Sequence, residues 1–139
     1  MLTNPTGTND LTEAIIGGAI RVHRDKGPGL LESAYVECLV LEFRDLGLTV
    51  GRRLSVPLTY RGRTLETTYE LDMLVEGKVI VEVKAVAALA PVHSAQLLTY
   101  LKLTGLPVGL LINFNVPVLK QGIRRLVNPA PSVNHPTTT

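Results

Sequence analysis

The stretch Val79-Ile-Val-Glu-Val-Lys84, "VIVEVK", decides how this chain is read. Its length and its β-branched residues predict a buried strand. Alternate side chains on a strand share a face, so Val79, Val81 and Val83 point one way and Ile80, Glu82 and Lys84 the other. A carboxylate and an ammonium facing the same side of a buried strand are costly to desolvate, and their presence asks for a reason.

Working outward, the tight turn "EGK" at 76–78 precedes this strand, which is expected over 78–86. The strand before the turn, expected over 64–75, carries Asp72 within "YELDMLVE". In an antiparallel hairpin these two strands are neighbours, and the turn can set Asp72 beside Glu82, although spacing alone leaves the register open. Further upstream Val50, Leu54, Val56, Leu58 and Tyr60 alternate with polar positions and end at the turn "YRGR".

Helical periodicity flanks this meander. A helix starts near Asp10 to Glu13 and buries Leu11, Ile15, Ala19 and Val22 until "KGPG" at 26–29 breaks it. A second helix is expected over 31–46, with Ala34, Tyr35, Cys38 and Leu46 inward and Gly47 as its left-handed cap. After the "VIVEVK" strand, Pro91 opens a third helix that runs to about Thr104 and packs Leu97, Leu98 and Leu101. The apolar run 108–114 reads as a buried parallel strand, and 122–127 as an added edge strand.

The expected order is α-α-β-β-β-α-β-(β). The fold class is therefore α/β, with a mixed central sheet flanked by helices: an antiparallel meander followed by a right-handed crossover to a parallel neighbour. Residues 1–9 are expected to form a flexible arm, 10–127 a single domain, and 128–139, "NPAPSVNHPTTT", a disordered tail.

Composition narrows the function classes. Apolar residues make up 45% of the 139, enough for a real core. One cysteine, Cys38, excludes an internal disulfide and a multi-cysteine zinc site, and suits a reducing cytoplasm. No signal peptide is visible, and no apolar run approaches the ~20 residues that span a membrane. The net charge of +2 conceals an asymmetry: all 12 acids lie before residue 83, while Lys84, Lys102, Lys120, Arg124 and Arg125 follow without any acid. A cationic C-terminal half favours a polyanion, or is simply surface composition.

Two carboxylates brought together in a poorly solvated place repel, unless a cation intervenes. Lys84 can offset one charge; a divalent ion can offset the rest, and oxygen ligands select magnesium or manganese. The competing interpretation is a structural salt bridge from Asp72 or Glu82 to Lys84. Glu32 in "GLLESAY" sits at the start of the second helix, where a carboxylate is also favourable for electrostatic reasons alone. Gln96 and Tyr100 in "QLLTY" share one face of the third helix.

The ordered set Asp72, Glu82-Val83-Lys84 and Gln96-x-x-x-Tyr100 resembles the PD-(D/E)xK, restriction-endonuclease-like nuclease superfamily. Gly29-x-x-Glu32-x-x-Tyr35, with "LLINF" and "GIRRLV", resembles one branch of it, the GxxExxY proteins. The resemblance spans about residues 10–127. It implies a restriction-endonuclease-like core in which Glu32, Asp72, Glu82 and the Val83 carbonyl match the metal shell. Lys84 matches the catalytic lysine, and Gln96 and Tyr100 match residues that shape the site. His23 matches loosely a metal-binding histidine of some members, but a lone histidine on a helix more often packs or is solvated.

The expected function is therefore a magnesium-dependent nuclease acting on DNA, with manganese as the other candidate ion. The alternative is a nucleic-acid-binding or accessory module of the same fold that cuts little. Lys120, Arg124 and Arg125 are the expected contacts to the phosphate backbone. Self-association or a protein partner is expected to help such a small chain hold DNA. The expected location is the cytoplasm.

Overall fold

Among the described residues, five strands form one mixed sheet whose spatial order, β1-β2-β3-β4-β5, is also the chain order. The computed structural model describes residues 8–132. The elements are α1 (Asn9–Lys26), α2 (Glu32–Asp45), β1 (Val50–Tyr60), β2 (Arg63–Val75), β3 (Val79–Lys84), α3 (Pro91–Thr104), β4 (Val108–Asn113), a 3-10 turn (Leu119–Gly122) and β5 (Ile123–Val127). β1, β2 and β3 run antiparallel in sequence. β4 joins β3 in parallel after the α3 crossover, and β5 closes the far edge antiparallel to β4. This is the α/β architecture, with a restriction-endonuclease-like core, that the sequence predicts.

Strand alternation sorts the core into two layers. Val79, Val81, Val83, Leu110 and Ile112 pack against Ile15, Ala19 and Val22 of α1 and Tyr35, Leu39 and Phe43 of α2. Ile80 and Leu111 face the other way, onto Leu97, Tyr100 and Leu101 of α3. α1 and α2 pack closely because position 18 has no side chain: a Cβ on Gly18 would lie 3.0 Å from the Phe43 ring.

The β1–β2 pair is longer than its neighbours. β2 pairs with β3 only through Met73, Leu74 and Val75, so the outer part of the hairpin, 54–60 with 63–71, is a two-stranded ribbon. Where the ribbon leaves the core, the faces exchange. Val50, Met73 and Val75 belong to the α1–α2 layer, whereas Val56 and Leu71 are buried in the α3 layer, with Leu54 and Tyr69 packed against it. The exchange coincides with Arg53, which has φ +56°, and with a missing rung where Arg53 faces Asp72. Pro57, on the outer strand β1, precedes a register shift.

The boundaries depart from expectation in three main places. α1 begins at Asn9, with Thr8 buried, so the last two residues expected in the arm belong to the fold. β3 ends at Lys84 rather than 86, because Asn113 takes over the following backbone: its Oδ1 accepts from Val86 N at 3.0 Å and its Nδ2 donates to Val86 O at 2.9 Å. At the C-terminus, Asn128 is buried and its Nδ2 donates to the Leu101 and Leu106 carbonyls, each at 3.0 Å. Ser132 N donates to Gly105 O at 2.9 Å. The ordered fold thus extends past residue 127 through five residues assigned by composition to the tail. The rest of that tail, 133–139, and residues 1–7 of the expected arm lie outside the described residues.

Candidate active site

Asp72 and Glu82 stand opposite each other at the position where the β2–β3 ladder stops. The last regular rung is Met73 with Val81; continuing that register makes Asp72 and Glu82 the next pair. There the side chains replace the backbone partners. Asp72 N donates to Glu82 Oε2 at 2.8 Å, and Val83 N donates to Asp72 Oδ2 at 2.8 Å. Each carboxylate is therefore oriented by a backbone amide of, or next to, its neighbour. Among the described residues, the second oxygen of each takes no hydrogen bond.

Burial and mutual repulsion dominate the electrostatics. Glu82 is 5% exposed. Burial, and then the charge of Asp72, push its carboxyl up to about 8, against the opposing pull of the Asp72 amide and Lys84. Burial also raises Asp72, with the Val83 amide and Lys84 acting the other way. Tyr100 lies buried on α3, and its phenol is pushed up to about 12 by burial and by the Glu82 and Asp72 charges. The hydroxyl thus stays protonated at any physiological pH.

Lys84 follows Glu82 by two on β3, on the same face, and is half-buried. Its charge acts on both acids, but among the described residues it forms no ion pair within 4.0 Å; the ion pairs there are Arg21–Glu42 and Lys26–Asp25. The structural salt bridge that could have explained D…ExK is not formed.

Glu32 is the first residue of α2. Gly29 has φ +108°, a conformation that favours glycine, and Tyr35 fastens the loop. The Tyr35 hydroxyl donates to Gly27 O at 2.5 Å and accepts from Leu30 N at 3.1 Å. The G-x-x-E-x-x-Y spacing is thus a mechanical device for presenting Glu32. Glu32 lines a pocket of about 490 Å³ together with Asp72, and its charge contributes to raising Glu82. It does not join Asp72 and Glu82 as a third ligand: among the described residues no three acidic, histidine or cysteine side chains form a group able to hold an ion.

The remaining expected residues are dispersed. Gln96 is exposed, one helical turn before Tyr100. His23 is held elsewhere, its Nε2 donating to Val116 O at 2.8 Å beside Phe114. Lys120, Arg124 and Arg125 do not form one patch. Arg124 pairs with Leu111, which pairs with Glu82, so Arg124 lies on the acid-bearing face two strands away, roughly 10 Å in backbone spacing. Arg125 is on the opposite face, its Nη2 donating to Asn9 Oδ1 at 3.2 Å, and Lys120 lines a separate hollow with His23 and Arg24.

Three residues near the acids escaped the sequence reading. Asn113 secures the chain just beyond Lys84; a polar residue ending the apolar run "VGLLIN" was the available signal. Arg52 and Arg53 line the same pocket as Asp72 and Glu32, and nothing in an alternating strand pattern points to them.

A family model described as the PD-(D/E)XK nuclease superfamily matches residues 9–126. The chain belongs to the PD-(D/E)XK nuclease superfamily. Searches of curated proteins and of solved structures gave no match. The sequence resemblance matches Asp72 to the first acid of that signature and Glu82-Val83-Lys84 to its (D/E)XK. Leu71 stands where the signature has proline, and it is fully buried under α3. Members of the PD-(D/E)XK superfamily typically use divalent metal ions, and membership implies a nucleic-acid substrate. Among the described residues no helix is long and apolar enough to cross a membrane.

Proposed function

We propose that this protein is a divalent-metal-dependent nuclease that hydrolyses phosphodiester bonds in DNA, and that it belongs to the GxxExxY branch. One observation carries this reading: two crowded carboxylates, each with an unengaged oxygen, beside an amine that neutralises neither by direct pairing. Such a site is electrostatically incomplete. Two carboxylates without a full cage suit magnesium, which keeps much of its water and shares substrate phosphate oxygens; manganese fits the same donors.

Asp72 and Glu82 would hold the ion, with the Val83 carbonyl as a further oxygen donor and Glu32 acting on the site through its charge. When bound, a divalent ion supplies Lewis acidity toward the phosphate and lowers the pKa of water. Lys84 orients the attacking water, or takes its proton, and balances charge growing on the phosphoryl oxygens. Tyr100, on the helix that faces these acids, would stay protonated and help shape the site, with Gln96 at the outer end of the same helix face. Arg124 extends the anion-binding surface across the sheet. Cys38, a free thiol, suits a cytoplasmic location.

A second reading keeps the fold but little cleavage, as a nucleic-acid-binding or accessory module. It is favoured by the scattered basic residues and by only six Phe and Tyr available for stacking bases. Self-association or a partner would then supply the rest of the grip. Incubating the protein with end-labelled DNA in magnesium, manganese or chelator separates the two. Metal-dependent cleavage that disappears in Lys84→Ala supports the nuclease; undiminished cleavage by that variant overturns the assigned chemistry.

A further inference from the structure

Neighbouring residues on a strand normally point to opposite faces. Arg52 and Arg53 nevertheless both line one pocket, of about 490 Å³, between the start of α2 and the base of the β1–β2 ribbon. The positive φ of Arg53 permits this, at a backbone cost of order 1–3 kcal/mol for a residue other than glycine. The Nε of Arg52 is buried and, among the described residues, has no hydrogen-bond partner. A buried donor without an acceptor is costly, and two guanidinium groups gathered by a strained turn are expensive to assemble.

The acids of the same pocket do not account for the two arginines. Glu32, Glu70 and Asp72 all line it. Yet neither arginine forms an ion pair with any of them, among the described residues. Arg52 merely lowers the pKa of Asp72 from a distance. The start of α2 adds further donors on the same side. Its N-cap, Leu31, offers no side-chain oxygen, and Ser33 lines the pocket.

We infer that this pocket binds a phosphate of the substrate strand that flanks the scissile one, with the guanidinium groups of Arg52 and Arg53 as its donors. The inference rests on the nuclease reading and deepens it. Arginine is suited to this task because its planar fork meets phosphate oxygens in pairs. The volume is that of a site for a nucleotide-sized group. The pocket shares Asp72 with the acid pair, so the flanking phosphate sits next to the bond to be cut and fixes the strand's register. The lining carries three acids and two bases on its own; a divalent ion on Asp72 turns that balance positive, so affinity for the strand rises with magnesium.

The test measures binding, not turnover. The anisotropy of a short fluorescent DNA is titrated with the Lys84→Ala protein in magnesium, and then with Arg52→Gln, Arg52→Lys and Arg53→Gln added to it. Each Gln variant is expected to raise Kd about tenfold and to reduce the salt slope by about one ion. Arg52→Lys keeps the charge but loses the planar fork, and is expected to remain at least several-fold weaker than the parent. Kd values within twofold of the parent overturn the inference. Arg53 is exposed, so Arg53→Gln alone decides the matter if Arg52 variants fail to fold. Wild-type cleavage unaffected by these variants removes the inference and leaves the nuclease. Binding that depends on Arg52 and Arg53, in a protein that cuts nothing, does the reverse.

Discussion

The rings of Tyr35 and Phe114 stack almost parallel, with centroids 4.4 Å apart and planes inclined by 14°. Tyr35 belongs to α2, and Phe114 directly follows β4, its amide donating to the Lys84 carbonyl at 2.9 Å. The loop that presents Glu32 is therefore braced against the strand end that presents Lys84. Removing the hydroxyl with Tyr35→Phe keeps the stack and leaves Gly27 O and Leu30 N without their partner. The expected loss is about 1–3 kcal/mol, read by urea denaturation, with a cleavage defect larger than the lost stability explains.

Among the described residues Lys84 has no ion-pair partner, so truncating it should cost the fold little. Lys84→Ala is expected to change stability by less than about 1 kcal/mol, while the single-turnover cleavage rate falls by roughly 10²–10⁴, the range for a positioned proton-transfer group. A parallel collapse in stability and rate would return Lys84 to a structural role.

The pH dependence follows from Glu82. Its pKa is raised from 4.5 to about 8 by folding. Below 4.5 the group is neutral in folded and unfolded chains alike, and its contribution to stability is fully present. As pH rises, the unfolded chain ionises first, and the contribution is lost progressively until the folded pKa is passed. Asp72 is shifted in the same sense. In chelator, stability should decline between about pH 4.5 and 8 by up to roughly 1.4 kcal/mol per pH unit. Glu82→Gln should flatten that slope. Magnesium should raise the melting temperature more at pH 8 than at pH 5, since it binds the ionised pair. A flat profile in the metal-free wild type would refute the crowding on which the site depends.

Asn128 tests the C-terminal boundary. Its side chain serves two backbone carbonyls, and its own amide donates to Pro107 O at 2.9 Å. Asn128→Ala should destabilise the protein by about 1–3 kcal/mol, whereas a change in the melting temperature too small to measure would mean that residues past 127 add nothing to the fold.

Much of the architecture was legible because it rests on local chemistry. Valines alternating with Ile80, Glu82 and Lys84 defined β3 and its faces, and the short turn at 76–78 left Asp72 close to Glu82. The direct hydrogen bonds to backbone amides were not legible, since they arise only where the ladder opens. Arg53 takes a left-handed conformation without being glycine or asparagine, so no turn signal marks the exchange of faces or the pairing of Arg52 with Arg53. The basic cluster failed for a readable reason: Arg124 and Arg125 are adjacent in sequence, and strand alternation sends adjacent residues to opposite sides. Asn128 sits in a segment whose composition resembles a tail, and its bonds to the Leu101 and Leu106 carbonyls, around the end of α3, depend on tertiary placement that composition does not carry.

The ribbon formed by β1 and β2 has one further consequence. β1 is an outermost strand of eleven residues, long enough to recruit the same strand from another molecule. Pro57 cannot donate a backbone hydrogen bond, and the register shift beside it interrupts any continuous template. Pro57→Val is therefore expected to lower solubility at high concentration before it affects catalysis.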